Sequence, residues 1–141
     1  MWPKNFSERL ESWTQLRLQC FQLDSEPALI KINSWWFQTP WTAYHLHWDD
    51  QQDWPDPWQL LSDNLYCPVA RGLGILYTIT MLDREDLQDA RMIEYQSDNL
   101  VLVNKEKYIL NWDPDQVVNI SLRRSKPRRR VSQEQVKQKI R

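Results

Sequence analysis

The sequence predicts an α+β fold: one domain, helices first and strands later, closed by a basic C-terminal arm. Three observations carry this. The stretch from Trp54 to Leu82 is the most apolar in the chain, holds both glycines and reads as a buried helix behind a stiff Trp-Pro-Asp-Pro-Trp step. Helical periodicity precedes it, and short strand-like runs separated by turn residues follow it. From Arg123 onward the run RRSKPRRR has nothing with which to bury itself.

Taken in order, Ser7-Glu8 opens a helical pattern with Phe6, Leu10, Trp13, Leu16 and Cys20 along one face. Ser25-Glu26-Pro27 starts a second helix, since Pro suits the first turn; Ala28, Leu29, Ile32, Trp35 and Trp36 point inward before a stop at Pro40. Residues 43–48 alternate like a short strand, with Tyr44, Leu46 and Trp48 on one side. Asp49 to Asp53 is a loop, and Asp56-Pro57 are N-cap and first residue of a short helix through Leu61.

The central helix follows Cys67-Pro68. Glycine in a helix interior costs about 0.5–1 kcal/mol relative to alanine, so Gly72 and Gly74 imply that a backbone or a large ring lies against this element. Ala70, Gly74 and Thr78 form a lane of small residues. Asp83 to Ala90 is a turn or short helix. Met92–Tyr95, Leu100–Val103 and Tyr108–Trp112 form an antiparallel meander, and residues 117–122 add a fourth strand or a short helix. The expectation is therefore a domain over residues 1–122 with three or four strands, and an arm over 123–141. Ser132 and Gln135 offer the arm a capping box for a terminal helix.

The bulk composition narrows function. A hydrophobic fraction of 41% supplies a core, and nine Trp against two Gly is an unusual balance. The net charge of −1 conceals a division. Residues 123–141 carry nine Lys/Arg and one acid, while the remainder carries nine and eighteen. The longest apolar run, residues 72–82, is too short to span a bilayer, so no membrane role is expected. The first residues lack the apolar stretch of a signal peptide. Two cysteines, Cys20 and Cys67, make neither a disulfide framework nor a zinc knuckle, which suits a reducing compartment.

Cys67 is the sharpest candidate for chemistry. As N-cap of the buried helix it would face the positive end of the helix dipole, which favours a thiolate. The alternative is a small buried residue at a helix start. His45, His47 and Asp49 share one face by period two and are candidate metal ligands, although no distinctive further ligand accompanies them, so no metal or cofactor is expected. Trp54 and Trp58 belong to a cluster that serves ligand stacking, packing or an interface. Arg123, Arg124, Lys126, Arg128, Arg129 and Arg130 form a segment for phosphates or for an acidic protein. With Trp54 and Trp58 they are the expected partner-binding residues.

The segments NSWWFQTPWTAYHLHWDD, WPDPWQLLSDNLYC, ARGLGILYTI, NLVLV and KYILNW, spread over about residues 28–122, resemble a family of uncharacterised proteins of tailed bacteriophages, particularly T4-like marine phages. The resemblance implies a protein made in the host cytoplasm and built into the virion. Such a protein would act without catalysis in neck, tail or baseplate, through contacts with other phage structural proteins or with copies of itself. The order of elements also resembles transglutaminase-like and papain-like domains. There a nucleophilic Cys opens a buried helix, and a short sheet carries His and an acid. That likeness implies Cys67 as nucleophile of a hydrolase or transferase. No His follows Cys67; Asn99 stands nearest the place of the family's His, and Asn111 or Asp113 nearest that of its acid. A third class is a phage regulator whose basic tail contacts nucleic acid.

Overall fold

The computed structural model describes residues 2–95, 97–118 and 129–140. Helices α1 (Phe6–Cys20), α2 (Ser25–Trp36), α3 (Pro57–Asp63), α4 (Pro68–Leu82) and α5 (Gln133–Ile140) accompany a 3-10 turn at Trp48–Asp53. Strands β1 (Arg91–Tyr95), β2 (Asp98–Val103), β3 (Tyr108–Asp113), β4 (Gln116–Val118) and β5 (Arg129–Ser132) form one antiparallel sheet in the order β4-β3-β2-β1-β5. The fold is α+β.

Local chemistry sets the helix limits. Asn5 caps α1 by accepting from Glu8 N at 2.9 Å, and Asp56 caps α3 by accepting from Gln59 N at 2.8 Å. Cys67 caps α4, its Sγ accepting from Ala70 N at 3.4 Å, and Asp83 ends that helix in the left-handed region at φ 49°. From α4 the core spreads outward. Helices α1, α2, α3 and α5 and strands β1, β2 and β3 all contact it.

The small-residue lane is where α2 lands. An added Cβ at Gly74 would lie 2.7 Å from Trp36 Cε3, with two further ring carbons nearer still. At Gly72 it would meet Met92 Sδ at 2.5 Å and Asn111 Nδ2 at 3.0 Å. Both glycines are therefore cut-outs, one for an indole ring and one for a strand side chain. Thr78 lies at the end of the lane. Its Oγ1 accepts from Trp13 Nε1 at 2.9 Å and Trp36 Nε1 at 3.0 Å, and donates to Gly74 O at 2.8 Å. A hydroxyl has one donor and two acceptor lone pairs, so this one is saturated.

The sheet departs from the expected three or four strands. The additional strand comes from the segment expected to be a free arm: β5 pairs with β1, Val131 opposite Met92. Val131 and Val136 are buried, and Lys139 Nζ donates to the carbonyls of Gln52 and Trp54 at 3.2 and 3.0 Å. Ser132 and Gln135 form the expected capping box. A domain ending at residue 122 is thus corrected, since residues 129–140 belong to the folded body. Period two explains how so basic a run enters a sheet, for Val131 faces the core between side chains that reach water. Residues 119–128, and with them most of the expected element over 117–122, lie outside the described residues.

Residues 43–48 form no strand. Their alternation finds no partner strand, and the segment instead wraps the N-terminal end of α4 through bends. It is pinned by an isolated bridge from Trp41 to Tyr66 and by Thr42 N donating to Tyr66 O at 2.9 Å. Tyr44 and Trp48, expected on one side of a strand, part company: Tyr44 is 82% exposed and Trp48 is buried.

Candidate functional site

The start of α4 points into a cleft of about 790 Å3, walled by residues 67–69, the 41–49 loop, Glu94, Ser97, Asn99 and Arg129. Cys67 sits at its floor, 3% exposed. Its Sγ accepts from Leu46 N and Ala70 N, each at 3.4 Å. Among the described residues these backbone groups and Leu46 O are its hydrogen-bond neighbours, and no side-chain base touches the thiol. The other cysteine, Cys20, is fully buried, and burial pushes its thiol up to about 11.

Of the strand residues singled out in the sequence, Asn99 and Asn111 are both committed to structure. Asn99 Oδ1 accepts from Trp48 Nε1 at 2.9 Å. Asn111 is 6% exposed and left-handed at φ 67°, a conformation Asn tolerates better than most residues. Its Nδ2 donates to Asn99 O at 2.6 Å and Pro68 O at 3.0 Å, and its Oδ1 accepts from Arg71 Nε at 2.6 Å. Its backbone N donates to Asn33 Oδ1 at 2.8 Å, and Asn33 Nδ2 donates to Asp113 O at 2.7 Å. One amide network thus ties α2, α4, β2 and β3 together beneath the cleft. Arg71 lies over the Phe37 ring at 3.9 Å, and burial lowers its guanidinium pKa. Such a network orders the cleft floor; it does not move a proton from Cys67.

The other expected residues scatter. Trp54 is 4% exposed, donates to His47 O at 2.8 Å and meets Trp48 edge to face. It is core, which corrects its placement on a partner surface. Trp58 stays 37% exposed on α3, its ring edge-on to Trp13. Arg129 bridges Asp49 at 2.7 Å and Glu94 at 3.8 Å, while Arg130, one residue on, is exposed. Arg123, Arg124, Lys126 and Arg128 lie outside the described residues. His45, His47 and Asp49 do not converge: among the described residues no group of three or more His, Cys, Asp or Glu could hold a metal ion. No helix among them is long and apolar enough to cross a membrane.

Neither Trp41 nor Tyr44 was among the expected site residues; Trp41 belongs to the Trp-rich stretch and Tyr44 to the expected strand. Trp41 and Tyr44 line the cleft and are 70% and 82% exposed. A faint signal was present for Trp41, which follows the helix-stopping Pro40. His47 and Asp49 also share this cleft with Cys67, which chain order alone had set aside. The chain matches no known protein-family model, and comparisons with curated proteins and with solved structures return no match.

Proposed function

We propose that the chain is a non-enzymatic component of a tailed-phage particle or its assembly, acting through protein–protein contacts. The observation that carries this is the state of the α4 N-terminus. Its cysteine is 3% exposed and accepts from backbone N–H groups, and Asn99 Oδ1 and the Asn111 amide are spent on hydrogen bonds that hold elements together. A thiol without an accepting base is a poor acyl-transfer catalyst. Meanwhile large apolar side chains remain at the surface, with Leu18 on α1 and Phe21 at its C-cap 58% and 63% exposed, and Trp58 on α3. Aromatic side chains of this kind are enriched at protein interfaces. Partners on this reading are other phage structural proteins or further copies of the chain. Mass spectrometry of purified particles tests it: stoichiometric copies support the reading, and absence from both particles and assembly intermediates sinks it.

A second reading, a cysteine-dependent hydrolase or transferase, is favoured by His47 and Asp49 lining the cleft that Cys67 enters. Triads are recognised by geometry rather than by chain order. Iodoacetamide labelling of the native protein separates the two. Slow labelling at Cys67 accompanies the structural role, whereas fast labelling abolished by His47→Ala supports the enzyme.

A further inference from the structure

We propose that the cleft at the N-terminal end of α4 is a binding site for a neutral carbohydrate, stacked on Trp41 and Tyr44. This inference stands apart from the assembly reading and does not depend on it.

The argument begins with the two rings. Trp2, Trp13, Trp35, Trp36, Trp48 and Trp54 each donate their indole N–H to a protein acceptor. Trp41 and Tyr44 make no ring contact or side-chain hydrogen bond among the described residues, and both line a cleft. The backbone at Trp41 is nonetheless held, through the Trp41–Tyr66 bridge and the Thr42–Tyr66 hydrogen bond, and the loop is fastened again past Tyr44 by Leu46 N donating to Cys67 Sγ. Rings presented on a fixed backbone lose little conformational freedom when they take a ligand.

The polar wall narrows the ligand class. Asp49 and Glu94 supply acceptors, Arg129 and the Asn99 amide Nδ2 supply donors, and the two carboxylates flank the guanidinium of Arg129. A phosphate-bearing ligand would meet that carboxylate pair on an acidic body, so nucleotides and nucleic acid are disfavoured. An extended peptide would use a free strand edge. β1 lies between β2 and β5 and β2 between β1 and β3, and the edge strand β5 reaches the cleft through Arg129 alone, whose guanidinium is paired with Asp49 and Glu94. A sugar matches both halves of the site. Its C–H face packs on an aromatic ring, and its hydroxyls donate to carboxylates while accepting from guanidinium and amide N–H groups.

The test is isothermal titration of the full chain with neutral hexasaccharides (of glucose in both anomeric linkages, mannose and N-acetylglucosamine), beside inorganic phosphate and a proline-rich peptide. Saturable binding of one neutral oligosaccharide is expected. Trp41→Ala and Tyr44→Ala should each weaken it about tenfold, equivalent to about 1.4 kcal/mol of lost stacking. Trp112→Ala, at an exposed position away from the cleft, should leave it unchanged. Both cleft residues are exposed, so melting curves of the variants should overlay the parent. No saccharide binding at millimolar concentration overturns the proposal, as does binding that survives the double variant. Binding of only the peptide or only phosphate overturns it too, by assigning the cleft to another ligand.

Discussion

Trp36 and Trp41 stand five residues apart and meet opposite fates. Trp36 closes α2, is 1% exposed, fills the gap left by Gly74 and delivers its N–H to Thr78. Trp41 follows Pro40 into a loop, is 70% exposed and touches no other ring among the described residues. The residue type is the same, so hydrophobicity does not decide between them. Two local provisions do: a missing side chain that makes room for the ring, and an acceptor that satisfies the indole N–H. Where both exist the indole is structural, and where neither exists it stays at the surface.

The sharpest way to break this contrast is to refill the gap. Gly74→Leu should destabilise the fold by about 3 kcal/mol or more, because the added atoms fall inside the Trp36 ring. Gly74→Ala should also lower the melting temperature, by about 1–3 kcal/mol in stability. An exposed helix glycine would instead gain about 0.5–1 kcal/mol on the same change. A rise in melting temperature for Gly74→Ala would show that the ring moves aside easily and that the seam is not a fixed one.

The acceptor comes next. Thr78→Val keeps the shape and removes the oxygen that serves both Trp13 and Trp36. Two buried indole N–H groups would be left unpaired, each costing about 1–3 kcal/mol. Thr78→Ser keeps the oxygen and should lose much less. Chemical denaturation of the two variants gives the difference directly; equal losses would mean that the methyl group, not the hydroxyl, matters at this position.

A smaller effect follows from Cys20, which lies under α2 with its Sγ 3.6 Å from Ala28 O. Burial raises its thiol from 9.0 to about 11, so the folded state holds that proton where the unfolded chain releases it. The stability tied to the neutral thiol is complete below about pH 9 and is lost as pH rises toward 11. Between these limits the parent should lose melting temperature more steeply than Cys20→Ala. Parallel slopes would mean that the folded chain does not hold the thiol neutral.

The same contrast explains what the sequence made legible. The Cys67-Pro68 start of α4, the glycine lane and the three-stranded meander rest on short-range signals: a cap, a ring-constrained φ and apolar periods of 3.6 and 2. The sequence also implied a large ring against the central helix, without saying which. What it hid depends on distant partners. β5 is written as a charge run, and only its pairing with β1 makes Val131 a core residue. Residues 43–48 have the alternation of a strand, but a strand requires a neighbour, and the 41–49 loop is recruited instead by the start of α4. The cleft was invisible for the same reason, since its walls come from four separate stretches of chain. Cys67 and Asn99 were singled out beforehand for chemistry, whereas Trp41 was read only as part of a Trp-rich stretch and Tyr44 only as a strand residue.

The smallest expected effect is the most informative about the cleft. Trp41→Ala removes the largest side chain in the protein's repertoire, yet should change stability by no more than about 0.5 kcal/mol, as for surface sites without buried partners. In the interior, removing a Trp side chain costs about 3–5 kcal/mol, so the two classes are well separated. A loss above about 1 kcal/mol for Trp41→Ala would place the ring in a structural contact, and the distinction from Trp36 would fail. An overlaid melt leaves an aromatic ring that the fold does not need, on a backbone that the fold holds in place. A side chain with that combination is positioned for something outside the chain.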